Sequence, residues 1–267
     1  MNTRLTASQL YNHLGCPHRV AMDAAGDPAL RDEVSPFVQL LWERGVAHER
    51  DLVARLAAHG LDLSSLSGDA KEAATREAIA RREPLIYGGR LSVHELLGEP
   101  DLLRWEQGGY VAIDIKSGEG REGGDGEDPG RLRKHYGVQL ALYTDILEQM
   151  GLSAGRHGYI WDVHGVETRY DLAAPLGPRS GCLWEVYLKA RAAVRATLAM
   201  PQSSRPANSS ACKQCVWRSC CFAQLKLSQD LTLLPELGRA ARDALHEEFP
   251  TLRHLAGADV EQYIEGD

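Results

Sequence analysis

The sequence predicts an α/β protein built around a short mixed β-sheet. Three observations predict it. Residues 98–118 (GEPDLLRWEQGGYVAIDIKSG) read as a two-stranded hairpin. Helical and strand periodicities alternate on either side of that hairpin. The order that results is helices, three strands, a helix, two strands, a helix and a cysteine-rich end, which suits a central sheet flanked by helices.

The elements follow in order. Thr6-Ala7-Ser8-Gln9 is a capped helix start, and Cys16-Pro17-His18 follows that short helix. Ser35-Pro36 pairs an N-cap with proline at the first helical position. The helix it opens is expected to run to about His59, with Leu41, Gly45, His48, Leu52 and Leu56 on one face. Asp69 is the expected cap of a helix over Ala70 to Arg82, and Leu85 to Leu91 reads as one strand. In the hairpin, Gln107-Gly108-Gly109 supplies the turn, because glycine reaches the positive φ angles that tight hairpins need. Ser117 to Gly130 is rich in glycine and acid and reads as a mobile surface loop. A helix over Tyr136 to Met150, a hairpin over Arg156–Val163 and Val166–Leu172, and a helix over Gly181 to Met200 complete the core. Pro201 to Ser210 is linker-like, and a helical tail starts at Leu231.

At 267 residues and 43% hydrophobic content the chain can hold one large domain, or a domain with a small appendage. Its net charge of -7 offers no global basic field to attract nucleic acid, although acids in a metal site and in one loop account for part of the excess. No apolar run approaches the ~20 residues of a membrane span, and no signal-peptide pattern opens the chain. The expected compartment is the cytoplasm, where the six cysteines are not expected to form structural disulfides.

The hairpin carries the sharpest chemical signal. Asp101 and Asp114 place carboxylates on neighbouring strands, and Lys116 shares a strand face with Asp114. A hard cation such as magnesium or manganese prefers oxygen ligands, and the Ile115 backbone carbonyl could supply a third. An ammonium beside it could orient the attacking water or stabilise charge during phosphodiester hydrolysis. The plain alternative is a surface strand with an i,i+2 salt bridge. His48 is either a hydrogen-bonded core histidine or an imidazole that completes a metal sphere. Gln139 and Tyr143 are four apart on one helix face. There Gln139 interrupts an apolar stripe with Leu142, Ile146 and Met150 and either satisfies core backbone or reaches into the site. Arg131, Arg133 and Lys134 precede that helix and could touch a DNA backbone, or be a solvated helix start.

Cys212-Lys213-Gln214-Cys215, followed by Cys220-Cys221, is a metal-ligand arrangement, since thiolates two residues apart can grip one centre. Cys16 is the natural fourth ligand, and Cys182 reads as an ordinary buried thiol. A structural zinc and an iron–sulfur cluster both remain open on spacing. Gly118-x-Gly120-x-x-Gly123 has the form of a dinucleotide loop. Acid and glycine follow it where such a loop needs a helix N-terminus facing phosphate.

Taken together, Arg44-Gly45-x-x-His48, Gly98-x-Pro100-Asp101, Asp114-x-Lys116 and Gln139-x-x-x-Tyr143 resemble the RecB-like branch of the PD-(D/E)XK nucleases, in order and spacing, over roughly residues 1–225. The resemblance implies a restriction-endonuclease-like core and a metal-dependent DNA nuclease. It is similar to exonucleases acting on single-stranded DNA or DNA ends in repair, recombination or defence. By it, His48, Asp101, Asp114 and the Ile115 carbonyl bind Mg2+ or Mn2+, Lys116 is the catalytic lysine, and Gln139 and Tyr143 position DNA or water. The cysteines resemble the iron–sulfur staple of that branch. This implies a [4Fe–4S] cluster on Cys16, Cys212, Cys215 and Cys221, with Cys220 as the alternative last ligand, tying the N-terminal helix to the C-terminal end. The nuclease domain would then span 1–226. Residues 227–267 form a small helical tail resembling a helix-hairpin-helix module, with Glu236 where that motif has glycine. Members of this group are often joined to a helicase or a further nuclease, so a partner protein of that kind is implied. Two other readings stay open: an exonuclease trimming DNA for CRISPR adaptation, and a non-catalytic DNA-binding or assembly module with the same fold.

Overall fold

The computed structural model describes residues 4–34, 36, 38–40, 43–45, 60–123, 130–177, 180–259, 261 and 263. The chain divides into two compact units, residues 1–15 with 36–199, and residues 16–35 with 200–267. The described strands are β1 (Leu5–Thr6), β2 (Leu61–Asp62), β3 (Leu85–Tyr87), β4 (Leu91–Val93), β5 (Leu96–Gly98), β6 (Leu102–Glu106) and β7 (Gly109–Ile115). They continue with β8 (Arg121–Glu122), β9 (Arg131–Leu132), β10 (His157–Trp161), β11 (Glu167–Asp171), β12 (Pro175–Gly177) and β13 (Ser180–Cys182). All belong to the first unit.

The first unit is organised by a six-stranded mixed sheet in the order β11-β10-β7-β6-β3-β2. Its centre is the expected hairpin: β6 and β7 pair antiparallel from Leu102 with Ile113 to Glu106 with Gly109. Gln107 and Gly108 make the turn at φ +50° and +88°. Positive φ at both central residues matches the right-handed twist of the strands they join. Every residue of β7 is buried, so it reads as a near-continuous apolar run and not as an alternating one. On one face Leu102, Ile113 and Ile115 form a core with Leu85, Tyr87, Tyr159 and Trp161 packed against it.

The chain leaves β7, forms a long helix and returns as β10, parallel to β7 with Tyr159 beside Ile113 and Ile160 beside Asp114. Helices of this unit are numbered with the whole chain. They are α1 (Ala7–Gly15), α3 (Gly68–Ala80), α4 (Lys134–Gln149) and α5 (Leu183–Ala199), while α2 (Pro17–Ala25) belongs to the second unit. Helix α4 is buried continuously from Tyr136 to Leu147, as befits a helix enclosed on all sides. The start of α1 is a reciprocal cap. The Thr6 N–H donates to Gln9 Oε1 at 2.9 Å, and the Gln9 N–H returns to Thr6 Oγ1 at 3.4 Å.

Several sequence expectations change in detail. The single strand over Leu85–Leu91 is two strands, because Gly88 turns the chain at φ +64°. Strand β4 then joins a separate small sheet, β1-β5-β4, in which Leu5 pairs in parallel with Leu96. Ser67, not Asp69, precedes α3, and Asp69 sits in its first turn, where a carboxylate suits the helix dipole. The ends of the loop over Ser117–Gly130 are tied by a β8–β9 ladder, Arg121 to Leu132 and Glu122 to Arg131. The helix expected from Pro36 to His59 falls largely outside the described residues, although 36, 38–40 and 43–45 are helical.

The second unit contains α2, α6 (Arg218–Leu227), α7 (Arg239–Leu245) and α8 (Leu252–Ala256). Trp217 is fully buried at its centre, donating Nε1–H to Asp23 Oδ1 at 2.8 Å beneath the Arg31 guanidinium, 4.9 Å from the ring centroid. The linker-like Pro201–Ser210 segment is in fact packed: buried Arg242 donates to the Pro206 carbonyl at 2.6 Å, and the Asn208 N–H to Thr232 Oγ1 at 2.9 Å. Arg242 also meets Asp230 Oδ2 at 3.2 Å. Burial opposes the charge of Asp230, but hydrogen bonds from Thr232 and Arg242 outweigh it and hold the carboxyl below its ordinary value. A lowered folded-state pKa contributes stability that is present above the ordinary aspartate value of about 3.9 and is lost as pH falls through the lowered one. In near-UV dichroism melts, Asp230→Asn is expected to lower the neutral-pH midpoint and to lose part of the wild type's acid sensitivity. A variant with the wild-type midpoint and acid profile would remove Asp230 from this role.

Among the described residues no helix is long and apolar enough to cross a membrane.

Candidate active site and cysteine centre

Asp114 is the anomaly of β7. It is 2% exposed in an otherwise apolar strand, and a buried carboxylate is costly unless it is paired or holds a cation. Lys116 Nζ lies 2.8 Å from Asp114 Oδ2. That oxygen is nevertheless without a hydrogen-bond partner among the described residues. The ammonium thus faces that oxygen at ion-pair distance, as the charge partner of a carboxylate otherwise enclosed by apolar strand residues.

The neighbouring strands fix this pair. The Lys116 N–H donates to the Trp161 carbonyl at 2.8 Å, fastening the end of β7 to β10. Asp101 stands just before β6 and accepts the Ile115 N–H on Oδ2 at 2.6 Å. Asp101 is thereby held beside the end of β7 that carries Asp114 and Lys116. Burial disfavours the Lys116 ammonium, but Asp114 and then Asp101 outweigh it and hold the group above its ordinary value. Lys116 is thus a cation at neutral pH, with a side chain 20% exposed.

Helix α4 forms the wall above. Tyr143 is buried against Gly98, where an added methyl would meet its ring at 2.7 Å, so the glycine of Gly98-x-Pro100-Asp101 is what admits this side chain. Burial, then the Asp114, Asp101 and Glu99 carboxylates, push the Tyr143 phenol well above its ordinary value, so it stays a neutral donor. Gln139, one turn earlier on the same face, is buried with Oε1 lacking a hydrogen-bond partner among the described residues. The contrast with Asp145 on the same helix is instructive. Asp145 is also buried, but its carboxylate is met by Tyr187, Gln149 and Arg191. Asp145 is satisfied by the core, whereas Gln139 Oε1 is left without a partner among the described residues.

Two buried oxygens, on Asp114 and Gln139, have no hydrogen bond that meets strict geometry among the described residues, and oxygen donors of this kind suit a hard cation and its water shell. Among the described residues no three His, Cys, Asp or Glu side chains gather closely enough to hold an ion. His48, expected as a further ligand, lies outside the described residues. Gly45 of the same motif is described, and a Cβ there would lie 3.8 Å from the Ser117 side chain. The Arg44-Gly45 motif thus reaches the end of the lysine strand. Arg131 and Lys134 are exposed. Arg133 is engaged, donating Nε–H to the Glu119 carbonyl at 2.9 Å and facing Glu122 at 3.6 Å. Sequence reasoning missed Tyr136, whose ring lies 5.6 Å from Lys116 Nζ. Its position three before Gln139 and seven before Tyr143 was the available signal.

The chain's family follows from comparison with known sequences. Residues 7–222, about four-fifths of the chain, match the profile of the PD-(D/E)XK nuclease superfamily. The chain belongs to that superfamily. A comparison with curated proteins finds no significant match. PD-(D/E)XK membership accounts for the mixed sheet with helices around it, and it implies a nuclease that hydrolyses phosphodiester bonds with the help of a metal.

Cys16, Cys212, Cys215, Cys220 and Cys221 all belong to the second unit and all are free, half-buried thiols. Cys16 caps α2, and its sulfur receives Arg239 at 3.7 Å. The Cys215 N–H donates to the Cys212 carbonyl at 3.2 Å, and the Cys221 N–H to the Trp217 carbonyl at 2.9 Å. Burial raises the Cys215 thiol, reinforced by Cys16 and Cys212. Burial likewise pushes Cys221 up to about 12, reinforced by Cys215, Cys220, Cys16 and Cys212. These sulfurs feel one another's charge without closing on a single-ion site. Arg239, which donates to the Cys16 sulfur, was not singled out from the sequence.

Proposed function

We propose that the protein is a Mg2+- or Mn2+-dependent deoxyribonuclease of the RecB-like branch, acting as an exonuclease on single-stranded DNA or DNA ends in repair, recombination or defence. The carrying observation is Asp114: a carboxylate buried in the central strand, with a charged lysine 2.8 Å from it and the Asp101 carboxylate anchored on the next residue. Asp101, Asp114 and the Ile115 carbonyl, with His48, are the oxygen and nitrogen donors that would hold the metal. When bound, it supplies charge neutralisation at phosphorus and a more acidic water.

Lys116 orients the attacking water and holds positive charge against the phosphate as negative charge grows on its oxygens. The water oxygen forms a bond to phosphorus and gives up a proton to solvent, and the bond to the 3′ oxygen breaks. That oxygen takes up a proton, and the new strand end carries a 5′-phosphate. Tyr143 and Gln139 position the water and the strand. Arg131, Arg133 and Lys134 lie near the backbone, with Arg133 also bracing the loop. In a test on single- and double-stranded DNA, the expected result is cleavage with Mg2+ or Mn2+ that stops with chelator. No cleavage of any DNA under these conditions would overturn the assignment.

We further assign Cys16, Cys212, Cys215 and Cys221, with Cys220 as the alternative, to a [4Fe–4S] cluster. Four soft donors within electrostatic reach support this, and a zinc ion is the competing occupant. The cluster would close a nuclease domain of residues 1–226, leaving 227–267 as a helical tail, and a helicase or another nuclease subunit is the proposed partner. Anaerobic purification is expected to give a brown protein absorbing near roughly 400 nm, with iron lost in Cys215→Ser. A colourless preparation loaded with zinc would replace the cluster with the ion.

A further inference from the structure

An aromatic wall adjoins the Asp114–Lys116 site on the side that the catalytic set leaves unexplained. It lies wholly within the first unit. Tyr11 on α1 stands at 4.9 Å from the ring of His135, nearly perpendicular to it, and at 6.4 Å from Tyr136 in a stacked orientation. His135 and Tyr136 meet edge-on at 4.5 Å. Tyr136 in turn lies under Lys116 Nζ at 5.6 Å. The three rings form a run leading outward from the lysine: Tyr136 is buried, His135 half-buried, and Tyr11 is 40% exposed. Burial, then the Arg133 guanidinium, hold the His135 imidazole below its ordinary value. At neutral pH it is therefore an uncharged ring, and the exposed Lys134 precedes it in the chain.

We propose that Tyr11 and His135 form a stacking platform for one unpaired base of the DNA strand and so set the adjoining phosphate against Lys116. The inference rests on the nuclease reading and deepens it, because it names what selects the strand. A large ring left open to water beside a cationic reaction centre gains most by covering its face with another π-system. A nucleotide carries its base and its phosphate on one sugar, so a base on Tyr11 leaves its backbone beside Tyr136 and Lys116. Lys134 offers a charge for the next phosphate outward. Every base has a π-face, so the platform does not discriminate sequence, and stacking on an aromatic side chain is worth about 1–3 kcal/mol per base. In duplex DNA the base faces are already stacked on their neighbours. The platform therefore favours single strands and frayed ends over intact duplex.

The test is binding of a fluorescein-labelled single-stranded oligonucleotide, and of a blunt duplex of the same sequence, measured by anisotropy in EDTA so that nothing is cut. Tyr11→Ala is expected to weaken single-strand binding about 10-fold and duplex binding less than about twofold. Tyr11→Phe and Tyr11→Trp should keep wild-type binding. His135→Ala provides a second variant should Tyr11→Ala melt early. A terminal 2-aminopurine should be quenched on wild type and remain bright on Tyr11→Ala. Wild-type single-strand affinity in both Tyr11→Ala and His135→Ala, or equal losses on single strand and duplex, would overturn the platform. A wild-type protein that cleaves with Mg2+ while Tyr11→Ala is unchanged removes only the platform. A wild-type protein that neither binds nor cleaves DNA removes the nuclease reading with it.

Discussion

Asp114→Asn and Lys116→Met are each expected to reduce DNA cleavage by about a thousandfold while leaving the fold intact. The magnitude is that of removing one preorganised charged group from a reaction centre. Asparagine keeps the shape of Asp114 inside a strand buried along its whole length but removes the negative charge that holds Lys116 2.8 Å away. Methionine keeps the Lys116 stem along the wall of Tyr136 and removes only the ammonium. The two losses should differ in kind. Asp114→Asn weakens the metal site, so excess Mn2+ should recover part of its activity. Lys116→Met leaves both carboxylates in place, and added metal should recover none. Cleavage at the wild-type rate in either variant would remove that residue from the chemistry. Equal recovery of both by metal would mean that Lys116 acts only by pairing with Asp114.

The central hairpin was legible because its signals agree. Apolar strand residues flank Gln107-Gly108, and a lone acid interrupts the run at Asp114. Helix α4 was legible as a buried helix, but the meaning of its polar positions was not. Gln139 and Asp145 look alike in a linear chain, and only three-dimensional packing shows that Asp145 is satisfied by Tyr187, Gln149 and Arg191 while Gln139 Oε1 meets no hydrogen-bond partner among the described residues. The pairing of β1 with β5 joins Leu5 to Leu96 through two-residue contacts, too short for any periodicity to reveal. Gly88 divides what composition makes look like one strand. Tyr11 carried no signal, since an aromatic residue on a short helix is as easily core as surface. The residues legible in sequence are those whose chemistry conflicts with their local pattern. Those that were not depend on neighbours distant in the chain.

Asp145 gives the largest expected effect on stability, and it separates the scaffold from the site. Its carboxylate bridges α4 and α5: the Tyr187 hydroxyl donates to Oδ2 at 2.5 Å, and so does Arg191 Nη1 at 2.5 Å. Tyr187 is fully buried, and burial, then the Asp145 hydrogen bond, push its phenol above the ordinary value. Asp145→Ala removes the acceptor of that hydroxyl and the nearest carboxylate of Arg191, which keeps Tyr187 and the more distant Glu95. Removing one partner of a buried pair costs about 3–5 kcal/mol. The Arg191 side chain is partly exposed, so the lower end applies, about 3 kcal/mol. For a unit of this size that corresponds to a fall of about 10 °C in melting midpoint. Asp145→Asn can still accept from Tyr187 and should lose less. Below its own melting transition, Asp145→Ala should retain metal-dependent cleavage, because Asp145 makes its contacts with α5 and within α4. A variant that melts with the wild type would show that Tyr187 and Arg191 find other partners. One that stays folded but loses cleavage would place Asp145 in the reaction centre instead of beneath it.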